Sequence, residues 1–458
     1  MFFDKEINYK LIKTNFTGFP KMLRIKQKFS DEHVMDIDGA MHEEISKLPL
    51  PDLKGKRVAV TAGSRGIPNF MECCRAIGRE LRARGAEPFV VPAMGSHGGG
   101  TAEGQIEVLA SRGMTDASLE RPIAAAMDTV VLGRSPEGVE VNCDVNAYGA
   151  DYIVVCGRVK PHTDFRGPVE SGLCKMMVVG LGKHRGAVSF HKTGGIFGMS
   201  ERLQSSAKIF LEKTRVLFAM ALIDNAYHQT KRLEAVMPED VLAREPELLK
   251  EAAAAMPKIA FEDIDTLVVD QYGKEISGAG MDPNITGRFL FAPEKHMEGY
   301  PHTKKIAILR MTEMSHGNAA GLGIADFVCR KFAQELDLGA TYTNSLSSPL
   351  CMAKIPMVMN NDLDTIYAAA SACGKTEIKD VRIVRIHNTL ELDHIWVSEN
   401  YLPEVEKNPA LEIVTGPAEM EFGADGNLID LARPSAAKYT INPPPSPNRR
   451  RRFVCLCK

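Results

Sequence analysis

Four things are scarce in this chain of 458 residues: net charge, long apolar runs, paired cysteine spacings and standard nucleotide motifs. Lysine and arginine number 56 against 58 aspartate and glutamate, a net charge of −2, so no bulk field draws the chain to nucleic acid or to an anionic membrane. No apolar run approaches the roughly 18–20 residues of a membrane span. The N-terminal stretch MFFDKEINYKLIK carries acidic residues and no long apolar run, so a secretory leader is not expected. The 10 cysteines are scattered and no CxxC occurs, which predicts reduced, mostly core thiols in a cytoplasmic protein. The glycine turns GSRGIPN and GSHGGGTAEG contain neither GxGxxG nor GxxxxGK followed by Ser or Thr, which excludes the standard dinucleotide and P-loop motifs. Such turns are either tight strand–helix connections or N–H cradles for a phosphate.

What is present is an ordinary globular composition, 44% hydrophobic and 25% charged, with length for two or three domains. RVAVT (57–61) is a β-rich run before a glycine turn and the helical pattern NFMECCRAIGRELRARG. PFVVPA (88–93) repeats the arrangement ahead of MGSHGGG and TAEGQIEVLASRG. Strand–turn–helix twice over predicts parallel α/β layering. DYIVVCGRVK and VLFAMALIDNA read as further buried strands. The helical stretch PEDVLAREPELLKEAAAAMPK then separates them from a second series: DTLVVDQYGK, KKIAILRMT, KIPMVMNN and VRIVRIHNT. The expected fold class is therefore α/β: two α/β domains with mainly parallel sheets and an active-site cleft between them. Residues 1–19 read as an extension, 20–257 as the N-terminal catalytic and cofactor-binding domain and 258–430 as the C-terminal domain. Residues 431–458 form a Pro- and Arg-rich tail expected to be disordered. Cys455 is formally a prenylation box beside a polybasic run, but the final Lys458 is atypical for that signal.

In open α/β sheets ligands bind beyond the carboxyl ends of strands. Arg65, His97, His162 and the pair Gln271 and Lys274 all follow predicted strands; their turns would make a site if they converge on one crevice, although loops hold polar residues in any case. An imidazole serves as acid and base alike near neutral pH, so His97 and His162 are the candidate acid/base groups. His316 is a weaker candidate, and His394 with the only tryptophan, Trp396, is expected to pack in the core. Lys175 precedes the apolar run Met176–Leu181 and lies sixteen positions before His191. It is either a snorkelling side chain or an amine made nucleophilic by burial. His191 alone makes no metal site.

The combination resembles the nickel-pincer lactate racemases and their homologues, over roughly residues 20–430. VTAGSRGIP is similar to the family's first strand-turn, with Arg65 at its arginine. MGSHGGGTAEG is similar to the loop bearing one catalytic histidine, here His97. KPHTDFRGPVESGLCKMMVVGLG resembles the segment with the second, here His162, and the cofactor lysine, here Lys175. His191 falls on the nickel-binding histidine and Gly180 is also in place. QYGK sets Gln271 and Lys274 three apart, as in the family's substrate-binding pair.

The resemblance implies an isomerase, a racemase or epimerase of a 2-hydroxy acid. Its cofactor would be a nickel-pincer nucleotide (pyridinium-3,5-bisthiocarboxylic acid mononucleotide) joined to Lys175, with His191 completing a roughly square-planar nickel site. The substrate Cα hydride would move reversibly to that cofactor while His97 and His162 handle protons. Arg65 and Lys274 would hold the carboxylate and Gln271 a substrate oxygen. The implied partners are a small 2-hydroxy acid and the cofactor-synthesis enzymes, with no nucleic acid and no membrane; protein made without those enzymes would lack the cofactor. Two departures stand out. Ala62 replaces the family's aspartate, and the His162–Lys175 interval is about three residues longer, with Arg166 and Glu170 inside it. The longer loop suits a larger or more polar substrate than lactate, such as a dicarboxylate or a sugar acid. Two other classes compete: a metal-dependent hydrolase or lyase with His97, His162 and His191 on one ion, and a non-catalytic anion- or nucleotide-binding protein.

Overall fold

The computed structural model describes residues 3–9, 16–195, 197–289, 299–346 and 350–429. It is a mixed α/β fold built on two large, mostly parallel sheets. The first comprises β2 (Arg57–Ala62), β3 (Glu87–Pro92), β6 (Tyr152–Arg158), β7 (Val216–Asp224) and β8 (Thr230–Val236), in the order β3-β2-β6-β7-β8. All neighbours are parallel except β7 and β8. Strands β4 (Thr129–Arg134) and β5 (Glu140–Asp144) form a separate antiparallel ribbon.

The near-continuous apolar runs of β2, β6 and β7 follow from parallel strands covered on both faces. Successive side chains alternate between the faces: Val58, Val60 and Val154 enter one core, and Ala59, Ile153 and Val155 the other. The helix Phe70–Ala83 leaves the first glycine turn and Val241–Ala255 lies beyond β8, as the periodicity predicts.

The second sheet has eight strands, in the order β12-β11-β10-β9-β13-β14-β1-β15. They are β1 (Met22–Gln27), β9 (Asp263–Tyr272), β10 (His302–Met311), β11 (Phe327–Cys329), β12 (Met357–Met359), β13 (Ile383–Ile386), β14 (His394–Ser398) and β15 (Leu411–Ala418). Strands β9 to β13 are mutually parallel where paired, and β14, β1 and β15 add an antiparallel edge.

Strand β1 departs from the sequence reading, which counted residue 20 onward with the first unit. It pairs instead with β14 and β15 of the second sheet. The preceding segment follows it: Tyr9 donates to Asp364 (2.7 Å) and Phe16 packs edge-on against Tyr367. An alternating apolar stretch such as MLRIKQ specifies a strand but not which sheet receives it. The expected tail, with Cys455, lies outside the described residues. No described helix is long and apolar enough to cross a membrane.

Candidate active site

Every sequence-predicted residue sits at or just beyond the carboxyl end of a strand, or on the segment lying against those ends. Arg65 follows β2, His97 follows β3, His162 follows β6, and Gln271 and Lys274 occupy the end of β9 and the turn beyond it. The layers touch here. An added Cβ on Gly278, past β9, would lie 3.2 Å from Arg65 Nη2, and Lys160 pairs with Asp282 at 3.2 Å.

The segment holding Lys175 starts as a short α-turn, Leu173–Lys175. It widens into a π-turn, Met176–Gly180, closed by the Leu181 N–H on the Met176 carbonyl at 2.8 Å. Such turns cost hydrogen-bond regularity and recur at functional sites. The helix Lys183–Lys192 then carries His191. Gly180 explains how this segment reaches the His97 turn. A Cβ there would fall 2.8 Å from the Ala93 carbonyl oxygen, and the Gly95 N–H bonds the Gly180 carbonyl at 3.1 Å. Only glycine permits so close an approach.

Two buried supports escaped the sequence reading. Lys183, fully enclosed, donates to the Pro92 carbonyl and to Gln105 Oε1 (2.8 Å) and pairs with buried Asp144 at 3.3 Å. Gln105 in turn donates to the Gly95 carbonyl at 2.9 Å, so the floor of the His97 turn is pinned to the Lys175 segment. Glu245, also fully buried, accepts the Cys174 N–H at 2.8 Å, one residue before Lys175. Burial raises its carboxyl to about 7.

The loop after β6 is held as tightly. The His162 N–H donates to Glu170 at 2.6 Å, the Asp164 N–H donates to His162 Nδ1 at 3.0 Å, and the ring stacks on Phe165 with centroids 4.3 Å apart. Arg166 donates to the His162 carbonyl and to Asn284 and lies over the rings of Phe289 and Tyr300. Glu170 also takes the Gly167 N–H at 3.1 Å. The two charges expected to widen the pocket's chemistry are thus spent bracing the loop. Asp164 accepts the Thr163 hydroxyl at 3.2 Å, lies 3.7 Å from His162 Nδ1, and acts through its charge on Lys175 and Lys274.

The electrostatics tie these groups to one place. Desolvation and then the Arg65 charge lower the Lys175 amine to about 8, opposed by Asp164. Lys274 falls to about 8 for the same two reasons. Desolvation, then Arg65, Lys175 and Lys274, brings the His97 imidazole to about 4. Desolvation and Lys175 bring His191 to about 4. Desolvation, Lys175 and His191 carry His162 well below its usual value. Arg65, His97 and His191 nevertheless remain accessible to solvent. Both statements hold for side chains lining a cleft, walled by protein yet open at its mouth. Lys274 donates to the Gly278 and Ala320 carbonyls, which leaves one of its three donors for an anion. Gln271 lies half-buried at the end of β9, its N–H on the His387 carbonyl at 2.8 Å.

His316 is exposed in a left-handed turn (φ 47°). Trp396 is half-buried between Arg24 and Arg385. Among the described residues no three His, Cys, Asp or Glu side chains converge as a metal-holding cluster.

No protein-family model and no curated protein sequence matches the chain. Solved structures are similar to much of the chain at low sequence identity. One is a structural-genomics protein from Thermotoga maritima, with 11% identity over 74% of this chain and 90% of that one and a TM-score of 0.46. Another is the lactate racemase apoprotein from Thermoanaerobacterium thermosaccharolyticum, with 13% identity over 82% of this chain and 90% of that one and a TM-score of 0.43.

Proposed function

We propose that the protein is a racemase or epimerase of a 2-hydroxy acid, dependent on a nickel-pincer nucleotide attached at Lys175. The observation that carries this reading is one segment ending in two unusual bases. Lys175 and His191 lie sixteen residues apart, interact through their charges, face the cleft that holds His97 and His162, and are both biased toward the neutral form. A neutral amine is what acylation by a cofactor thioacid requires, and a neutral imidazole is what a metal requires. The residues therefore fit the group: Lys175 would tether it and His191 would supply the nitrogen ligand to nickel. When bound, the group supplies a reversible hydride acceptor.

The chain's own residues do the rest. Arg65 from the first layer and Lys274 from the second close on the substrate carboxylate, so the substrate bridges the layers. His97 and His162 meet its 2-hydroxyl oxygen, and Gln271 is assigned to a further substrate oxygen. With Arg166 and Glu170 engaged, the longer loop offers no free cation for a second carboxylate, whereas Asp164 offers acceptors for hydroxyl groups. This favours a hydroxylated monocarboxylate such as a sugar acid over a dicarboxylate.

The test is to make the full chain beside the cofactor-synthesis enzymes, weigh the peptide containing Lys175, measure nickel, and assay a panel of 2-hydroxy acids by chiral separation. The expected result is a Lys175 adduct, nickel that disappears in Lys175→Ala, and turnover of hydroxylated acids. Nickel binding that is unchanged in Lys175→Ala, with an unmodified peptide, overturns the proposal.

A further inference from the structure

The helix Leu338–Ser345 is turned inside out. Its inward residues are polar: Thr341 and Ser345, one turn apart, are both buried. The Thr341 hydroxyl accepts the Ala319 N–H at 3.0 Å and donates to the Gly317 carbonyl at 3.3 Å, and Ser345 donates to the Thr341 carbonyl at 2.8 Å. Its outward residues are apolar. Leu338, Tyr342 and Leu346, the residue that closes the helix, recur every four positions and are 41%, 46% and 77% exposed. That spacing lines them up on one face. The next turn, Leu350–Ala353, packs against the helix and leaves Leu350 68% exposed. A helix at a protein surface ordinarily has the opposite arrangement, with its apolar stripe inward. Contiguous apolar surface of this kind marks a contact site.

The chemistry of the patch selects its partner. Residues 338–361 hold one charged side chain, Lys354, in 24 positions, whereas 25% of the whole chain is charged. Depletion of charge is the mark of a homodimer core, not of a face for nucleic acid or a charged peptide. A two-fold axis lays a patch on itself, so an uncharged patch meets no like charge there. An axis crossing the helix also sets the two helices antiparallel. The Asp337-capped N–H end of each then lies beside the carbonyl end of the other, which is the favourable order of helix dipoles. We infer that this stripe is the contact through which two copies of the chain associate about a two-fold axis, helix against antiparallel helix. Tyr342, the middle residue of the stripe, lies nearest the axis. The contact reaches the cleft through Thr341, which holds Gly317 and Ala319; the adjoining Ala320 carbonyl accepts Lys274 Nζ at 2.8 Å. A partner copy on the outer face therefore braces the backbone that positions Lys274.

The test is sedimentation velocity of the full-length protein from about 1 to about 100 μM. The expected result is a species of twice the chain mass whose share rises with concentration. Tyr342→Lys and Leu346→Lys each place an unpaired ammonium in the contact, once per copy. At roughly thirty-fold per copy, the scale of an interface hot spot, each variant weakens the dimer about a thousand-fold. Thr343→Lys, exposed but off the stripe, controls for added charge and should leave the dimer intact. Hydrogen exchange of the wild type over residues 338–346 should slow as concentration rises, which locates the contact without any substitution. A wild type that stays monomeric at the highest concentration overturns the inference, as does a dimer that survives both stripe variants. A monomer that binds phosphatidylcholine vesicles and loses that binding in Leu346→Lys also overturns it, and assigns the stripe to a lipid surface. None of these readouts involves nickel or turnover, so their failure is distinct from failure of the proposed function.

Discussion

The Lys175 amine gives the sharpest quantitative test. Its value near 8, against an ordinary 10.5, comes first from desolvation and second from Arg65, with Asp164 pulling the other way. At pH ~7.5 about a quarter of such an amine is neutral, against about one part in a thousand for an ordinary lysine, a gain of roughly two-hundred-fold. A weaker base is also a weaker nucleophile. A Brønsted slope of about 0.45, as for thiols, gives back about tenfold, leaving a net advantage of about twenty-fold. The assay is trace acetylation of the full-length protein across pH with light reagent, followed by denaturation, complete acetylation with heavy reagent and mass spectrometry of the peptide spanning Lys175. The labelling midpoint should fall near 8, rise in Arg65→Gln and fall in Asp164→Asn. The midpoint reports ionisation whatever the accessibility of the amine, so a value above about 10 refutes the electrostatic reasoning even if labelling is fast.

Two further perturbations address the supports of the site. Asp144→Ala strands the Lys183 ammonium where neither partner is accessible, and should cost about 3–5 kcal/mol in denaturant unfolding. Replacing both residues with apolar ones should recover much of that loss. Glu245 has a folded value near 7 against an ordinary 4.5, so the folded state holds its proton more tightly than the unfolded state. The contribution is full below about pH 4.5 and is lost as pH rises through about 7, about 3 kcal/mol in all. Unfolding free energies of wild type and Glu245→Gln, compared between pH ~5 and ~8, should diverge by that order, wild type falling. Parallel curves would show that the carboxyl titrates normally.

The turns at Arg65, His97 and His162 were legible because each follows a buried parallel strand, whose apolar run and glycine stop are written locally. The supports were less so. Lys183 in GLGKHRG has the look of a surface lysine, and its enclosure depends on Asp144, Gln105 and Pro92, residues 39 to 91 positions away along the chain. Glu245 did leave a trace. The buried residues of its helix are Val241, Glu245, Leu248, Leu249 and Ala252, so the carboxylate occupies an apolar position of the helical repeat. Arg166 and Glu170 misled for the opposite reason. Charge in a loop near a site suggests ligand contact, but here it is consumed by the loop's own backbone and by Asn284, on a segment more than a hundred residues away.

The attachment of the parts also determines how the cleft can move. The Lys175–His191 segment packs on β5, β6 and the helices of the first layer. The His162 loop is fastened to that layer through Val169, whose N–H and carbonyl both bond the Ser200 hydroxyl, and to the second through Arg166 on Asn284, beside the Lys160–Asp282 pair. Lys274 belongs to the second layer altogether. A change in the angle between the layers would therefore leave the Lys175–His191 pair intact while shifting Lys274, and by a smaller amount His162, against it. On the proposed function, carboxylate capture between Arg65 and Lys274 would pull the layers toward one angle, because each cation gains most when both contact the same anion. Substrate binding and the placement of His162 would in this way be one equilibrium, set by the carboxylate that the proposed substrate carries.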